Sequence, residues 1–261
     1  CLAEQAKILF AEAEENNLGG DALESRWARW HTCSLCEQYY HGVVACALGW
    51  ACWKTYVGRP ETDQPRLAAM TQLGNGLSAV GRHEDALSAR EAELSMKRRV
   101  GAPEHQVLIA QGNLACTYDD LGRVAEVLSL RQEVYSGTLK LHGEEHYDTL
   151  REAYNYASSL MILSRFEEAK SLLRKMIPVA RRFLGESHDL TLHMNKVYAV
   201  ALFEDDGSTL EDLREAVGTL EDATQTARRV FGAAHPLVFT FDCALEASRA
   251  ALRARETPSG K

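Results

Sequence analysis

The sequence predicts an all-α chain: an array of two-helix repeats preceded by a small cysteine-containing element. Three observations lead there. A glycine recurs at Gly101, Gly143, Gly185 and Gly232, spaced by 42, 42 and 47 residues, and a histidine follows each one closely (His105, His146, His188, His235). Each interval holds two stretches with apolar residues at helical spacing. The chain has only 6 prolines and few β-branched clusters, so little interrupts those helices. One helix pair of this size cannot bury its apolar face alone, and successive pairs must stack.

With 261 residues there is room for one such array and a short element before it. The net charge of −8 argues against nucleic acid, which calls for a basic footprint, but leaves basic peptides open as partners. The longest uncharged apolar run, 42–53, is too short to span a bilayer, and no signal peptide precedes it. Seven cysteines form no paired framework, and an odd count fits a reducing, intracellular and cytoplasmic setting. The chain starts at Cys1 without an initiator Met and reads as a piece of something longer.

Taken in order, LAEQAKILFAEAEEN (2–16) is an amphipathic helix that ends at the turn residues 16–20. A short helical stretch, 21–30, leads into HTCSLCEQYYHG. Residues 42–56 are apolar nearly all round, which predicts a helix buried on most sides. Thr62-Asp63 can cap the next helix. From there the helices alternate: 63–80 with 83–99, 104–121 with 124–141, 146–163 with 166–184, and 188–204 with 209–231. A last helix, about 236–254, caps the array with Arg249, Arg253 and Arg255 outward, and the final five residues are expected to fray.

The repeats align where packing demands it. Each first helix places a bulky residue before a small one: Leu73-Gly74, Leu114-Ala115, Tyr156-Ala157, Tyr198-Ala199. Leu77, Tyr118, Leu160 or Leu202 follows on the same face, one turn on. The inter-helix turn is Gly81-Arg82, Gly122-Arg123 or Ser164-Arg165, and Ala86, Val127 or Ala169 follows five residues after the Gly or Ser.

This pattern resembles the tetratricopeptide repeat in its longer, kinesin-light-chain form. GNLACTYDDLGR (112–123), YNYASSLMILSRFEEA (154–169) and LGESHDLTL (184–192) carry the resemblance, which covers about 63–254. Val127 replaces the family's usual small residue, and DDGSTLED (205–212) is an insertion. The resemblance implies a solenoid whose first helices line a groove.

Beside the seam stand Gln72, Asn75, Asn113, Asn155 and Ser158, with Asp119 and Asp120 further along. An Asn amide can both donate and accept, so it can bridge the N–H and C=O of an extended peptide. The resemblance implies that this ladder grips a peptide backbone. Asp119 and Asp120 would favour basic residues at one end, Arg151 and Lys196 acidic ones at the other. The four linker histidines sit on successive repeat edges, too far apart to share one ion, and read as residues that fix the turns. Glycine-rich phosphate loops and nucleophile elbows are absent, and the acidic runs lie at helix starts, so the array reads as non-catalytic.

Cys33-x-x-Cys36 is the strongest chemical signal outside the repeats. Locally, Cys33, Cys36, His41 and Cys46 have zinc-knuckle spacing. Alternatively, CysLeuAlaGlu at the start, followed by CysSerLeuCysGluGlnTyrTyr, resembles the C-terminal half of a RING-CH finger of membrane-associated ubiquitin ligases. That resemblance assigns Cys1 to one zinc and Cys33 with Cys36 to the other, with five further ligands lying before Cys1. On this reading the chain itself holds no complete cofactor site. A third possibility is that the cysteines bind no metal; Cys46, Cys52, Cys116 and Cys243 read as small core residues.

The chain therefore divides into a truncated RING-CH-like or auxiliary module, 1–58, and a repeat array, 63–256. The expected function is a non-catalytic adaptor that binds a protein or peptide, with no nucleic acid and no membrane. The alternative is the substrate-recruiting part of a RING-CH-type ubiquitin ligase whose finger lies mostly outside this chain.

Overall fold

The computed structural model describes residues 1–256. It is all-α, apart from one antiparallel bridge between Thr32 and Tyr39. The chain forms two compact units, Cys1–Val127 and one beginning at Leu128. Among the described residues no helix is long and apolar enough to cross a membrane.

The first unit holds α1 (Leu2–Glu15), α2 (Gly20–Trp27), a 3-10 turn (Ala28–Trp30), α3 (Gly42–Tyr56), α4 (Gln64–Ser78), α5 (His83–Arg99) and α6 (Glu104–Asp120). The unit boundary falls inside α7 (Val124–His142). The second unit takes in most of α7 with α8 (Tyr147–Ile162), α9 (Phe166–Phe183), α10 (Asp189–Glu204), α11 (Leu210–Phe231) and α12 (Pro236–Glu256). Both helices of every predicted pair form, with ends within a few residues of those read from the sequence.

An aromatic cluster holds the N-terminal helices together. Phe10 packs edge-on against Trp27 and Tyr56 at centroid distances of 5.0 and 5.9 Å, and Trp30 meets Tyr56 at 6.0 Å. Burial there pushes the Cys52 thiol up and the Tyr56 hydroxyl up to about 12, so both stay neutral. Arg59 clamps Glu14 of α1 with two hydrogen bonds of 2.6 and 2.7 Å. Asp63 caps α4 as expected, accepting from the Arg66 amide.

α3 crosses α4 at very short range. A Cβ on Gly49 would stand 2.6 Å from the Gln72 carbonyl oxygen, and one on Gly76 would stand 2.8 Å from that of Ala45. Two glycines, one on each helix, therefore let the backbones touch. α3 is not buried on most sides, however. Leu48, Gly49, Cys52 and Tyr56 face the core, whereas Val43, Val44 and Trp50 are exposed, because α1 and α4 cover only one side of the helix.

The repeat pattern packs as its alignment implies. Gly74, Ala115, Ala157 and Ala199 are buried in their first helices, and Ala86, Val127 and Ala169 in their second helices. Gly81, Gly122 and Ser164 take left-handed φ of 74°, 69° and 53°. That turn lets the next amide reach back five residues, as in Arg82 to Leu77, Arg123 to Tyr118 and Arg165 to Leu160. Each arginine then pairs with an acid three residues on: Asp85, Glu126 or Glu168.

The insertion 205–212 is integrated rather than loose. Asp205 pairs with the buried Lys170 at 2.8 Å, and Thr209 with Asp212 forms a capping box that opens α11. α12 covers the last pair through Val238, Phe241 and Leu245. Of the four cysteines assigned to cores, Cys52 is buried and Cys46 half-buried, but Cys116 and Cys243 are exposed. Cys116 follows the buried Ala115, and one step of helical phase carries it off the packed face. The expected frayed end lies outside the described residues.

Candidate partner-binding site

The linker histidines resolve into caps. Nδ1 of His146, His188 and His235 each accepts a backbone N–H two residues on, from Asp148, Leu190 and Leu237, all at 3.2 Å. His105 departs from this pattern: it lies inside α6, because Pro103 takes the N-cap position. Three of the four histidines thus act on the start of a helix.

In the first unit, Gln72 and Asn75 border a cavity of 320 Å³ lined also by Trp30, His31, Tyr39 and Gly76. The cysteine hairpin builds one wall. Its bridge between Thr32 and Tyr39 is extended by Cys33 N–H to Gln38 O at 2.9 Å and Tyr40 N–H to His31 O at 2.9 Å. The bridge brings the Tyr39 ring against His31, stacked at 5.7 Å. Burial, then the nearby Arg29, lowers the His31 pKa. The neutral ring can accept at Nδ1 from the Gln72 amide, 3.2 Å away.

Asn75 is held from behind. Arg90 of α5 is almost fully buried and donates from Nη2 to Asn75 Oδ1 at 3.2 Å and to Ser78 Oγ at 3.4 Å. That fixes the amide with its oxygen inward and its two N–H donors free. Burial lowers the Arg90 pKa, and Nε and Nη1 have no hydrogen-bond partner. Asn113 is half-buried on α6. Asp119 is exposed, and Asp120 pairs with His83 at 3.2 Å.

In the second unit, Asn155 is held the other way round. Its Nδ2 donates to Glu152 Oε2 at 3.1 Å, which leaves Oδ1 as a free acceptor. Glu152 is buried and also meets Arg131 at 3.6 Å and Arg151 at 3.0 Å. Ser158 spends its hydroxyl on its own helix, on Tyr154 O at 2.9 Å. Arg151 is engaged by Asp148 and Glu152, and Lys196 by Thr240 at 3.1 Å. Gln72 and Asn75 thus share one cavity; Asn155 and Ser158 belong to the other unit.

The hairpin gives the cysteines a definite chemistry. The amides of Cys36 and Leu35 turn toward Cys33 Sγ, with Leu35 N–H at 3.5 Å, and these contacts lower its pKa. Glu37 follows at φ 58°, the left-handed turn that closes the hairpin. Two thiols, Cys33 and Cys36, are therefore presented together on one turn. Among the described residues, neither Cys1 nor His41 nor Cys46 joins them in a group of three ligand atoms within 4.8 Å. Cys46 instead packs with Leu73 and Leu77 at the α3–α4 seam.

Sequence reasoning missed Trp30, His31, Tyr39 and Arg90. The stretch 31–42 was legible as metal chemistry only, and nothing local marks Arg90 as the partner of Asn75.

No protein-family model and no curated protein matches the sequence. Solved structures do. A Podosopora anserina protein described as a kinesin light chain with nearly identical TPR-like repeats is 20% identical, with a TM-score of 0.59 over 87% of this chain and 95% of that one. BtubC from P. vanneervenii is 14% identical, with a TM-score of 0.57 over 83% and 92%. A Rap protein complexed with Competence and Sporulation Factor is 12% identical, with a TM-score of 0.54 over 97% of this chain and 66% of that one. At such identities the likeness is one of fold, and the fold of this chain is the tetratricopeptide-repeat type.

Proposed function

We propose that the chain is a non-catalytic interaction adaptor that holds an extended peptide segment by its backbone. The orientation of Asn75 carries this reading. A buried arginine has fixed the amide before any ligand arrives, so its donors face outward at no further ordering cost. Gln72 beside it, and the cavity walled by Trp30, His31 and Tyr39, give the same peptide a place for one apolar or aromatic side chain. Asn113 offers a further amide in the same unit; the free oxygen of Asn155 gives the second unit an acceptor of its own. The Rap structure, solved with Competence and Sporulation Factor, supports a ligand-binding role for this fold.

The test begins with a peptide selected by display against the full chain. Each lost hydrogen bond is worth about 0.5–1.5 kcal/mol, and about 1.4 kcal/mol is tenfold in affinity. Gln72→Ala with Asn75→Ala should weaken binding roughly tenfold or more with little change in melting temperature. Asn113→Ala and Asn155→Ala, made separately, should each weaken by several-fold a peptide that engages the unit concerned. Unaltered affinity in all of these folded variants would move the interaction elsewhere.

A second reading, the substrate-recruiting part of a RING-CH-type ubiquitin ligase, rests on the resemblance of the cysteine segment alone. Amide hydrogen bonds to a thiol of a Cys-x-x-Cys turn are what a zinc-binding pair needs. On this reading Cys33 and Cys36 await ligands from outside this chain. The chain alone should then hold less than one tightly bound zinc at its thiols. Stoichiometric thiolate-bound zinc that disappears in Cys46→Ser would instead establish a complete local knuckle.

A further inference from the structure

We propose that the turn between α7 and α8 is a binding site for a zinc-class divalent cation, held by His142, His146 and Asp148. One ligand atom from each lies within 4.8 Å of the others, and among the described residues no other group of three Cys, His, Asp or Glu side chains does so. His142 ends α7, His146 caps α8, and Gly143, at φ 80°, turns the chain so that the two meet. Their rings stack at 4.2 Å with 13° between the planes. Asp148 Oδ2 lies 3.6 Å from His146 Nδ1. That separation subtends roughly 120° at an ion about 2.0–2.1 Å from each, close to tetrahedral demand.

The other three linkers show what is special here. The residue before the turn glycine is Val100, Leu184 or Phe231, and only this linker has a histidine. Phe231 stacks on His235 in the fourth linker at 5.1 Å, so the stacking itself belongs to the turn. In the second linker an imidazole replaces that apolar ring, and the residue two beyond the capping histidine is Asp148 rather than Leu190 or Leu237. Two changes at one turn convert a packing contact into three donors.

The surrounding charges leave the donors available. Arg151 takes Asp148 Oδ1 at 3.0 Å, so Oδ2 remains for the ion. Glu144 and Glu145 are held by Lys175 and Arg182 at 2.7 and 2.6 Å and stand outside the ligand set. His142 and His146 are exposed or half-exposed, so the ion enters from solvent and keeps water in the fourth position. The Nδ1 lone pair of His146 serves the Asp148 amide in the metal-free chain. It turns to the ion on binding, and the amide passes to water. Imidazole with carboxylate suits zinc, nickel or copper better than magnesium or calcium. The bound ion ties the last turn of α7 to the first turn of α8.

Zinc titration of the full chain by calorimetry tests this, with cobalt(II) absorption as the second readout. Thiolate-bound cobalt shows sulfur charge-transfer absorption, whereas an imidazole–carboxylate site does not, so the Cys33–Cys36 pair is told apart. One equivalent of cobalt without the sulfur band is expected. His142→Ala, which leaves the cap intact, and Asp148→Asn should each weaken that equivalent at least tenfold with metal-free melting unchanged. Equal zinc affinity in both folded variants, or cobalt bound only with sulfur absorption, would overturn the proposal.

Discussion

Gly76→Ala sets a methyl carbon 2.8 Å from Ala45 O and 3.0 Å from Cys46 Cα, both backbone atoms of α3. No rotamer change can relieve such contacts, so α3 must move away from α4. In an open helix the same exchange would stabilise by about 0.5–1 kcal/mol, because glycine gives up more backbone freedom on folding. Overpacking of a tight crossing costs about 1–3 kcal/mol, and here the displaced group is a whole helix carrying Cys52 and Tyr56 in the aromatic core. The expected net loss is about 1–2 kcal/mol, several degrees of melting temperature. Thermal and urea unfolding followed by circular dichroism and tryptophan fluorescence would read it, since Trp53 packs at the same seam. Gly218→Ala is the control. It lies inside α11 with no atom within 4 Å of its would-be Cβ, and should gain about 0.5–1 kcal/mol. If Gly76→Ala melts at or above the unaltered chain, the crossing is not as tight as the geometry says.

Three other outcomes are expected. Ala157, fully buried between α8 and its neighbours, should tolerate tryptophan poorly: Ala157→Trp costs about 1–3 kcal/mol or more in a denaturant titration. Ser164→Gly should raise stability by up to about 1 kcal/mol, since Ser164 stands at φ 53° where Gly81 and Gly122 serve the equivalent turns; a lower midpoint would refute the strain. Asp205 is held below the ordinary carboxylate range, first by its hydrogen bond to Lys170 and then by the Gly207 amide. Its stabilisation is therefore present above the unfolded pKa and lost as pH falls through the lower folded value. Asp205→Asn should cost stability at neutral pH, and the gap to the unaltered chain should close below about pH 4.

Helices were legible because their signals are local. Apolar spacing placed both members of every pair, and the small residues at 74, 115, 157 and 199 are all buried. What misled was helical phase near a seam. Cys116 directly follows Ala115 in sequence, yet 100° of rotation puts it in solvent. Residues 42–56 are apolar all round, but which side is covered depends on where α1 and α4 lie, and that depends on Gly49 and Gly76 meeting backbone across the crossing.

The candidate site has the same two layers. Gln72, Asn75 and Asn113 in the first unit and Asn155 in the second could be placed on first helices from the repeat, because helical position is set by local spacing. Their donor and acceptor ends could not. Asn75 is oriented by Arg90, fifteen residues on, and Asn155 by Glu152, one turn back, and the two amides end up presenting opposite polarity. A peptide backbone also offers both donors and acceptors, so asparagines in equivalent places of the two units need not make identical bonds. Removing the carboxamide of Asn75 takes away donors, and removing that of Asn155 takes away an acceptor. A ligand with an N-methylated amide should therefore lose its contact at Asn155 and keep its contact at Asn75. N-methyl scans of peptides selected separately against each unit read that difference, and equal tolerance of methylation at the two residues would show that neither amide is oriented as described.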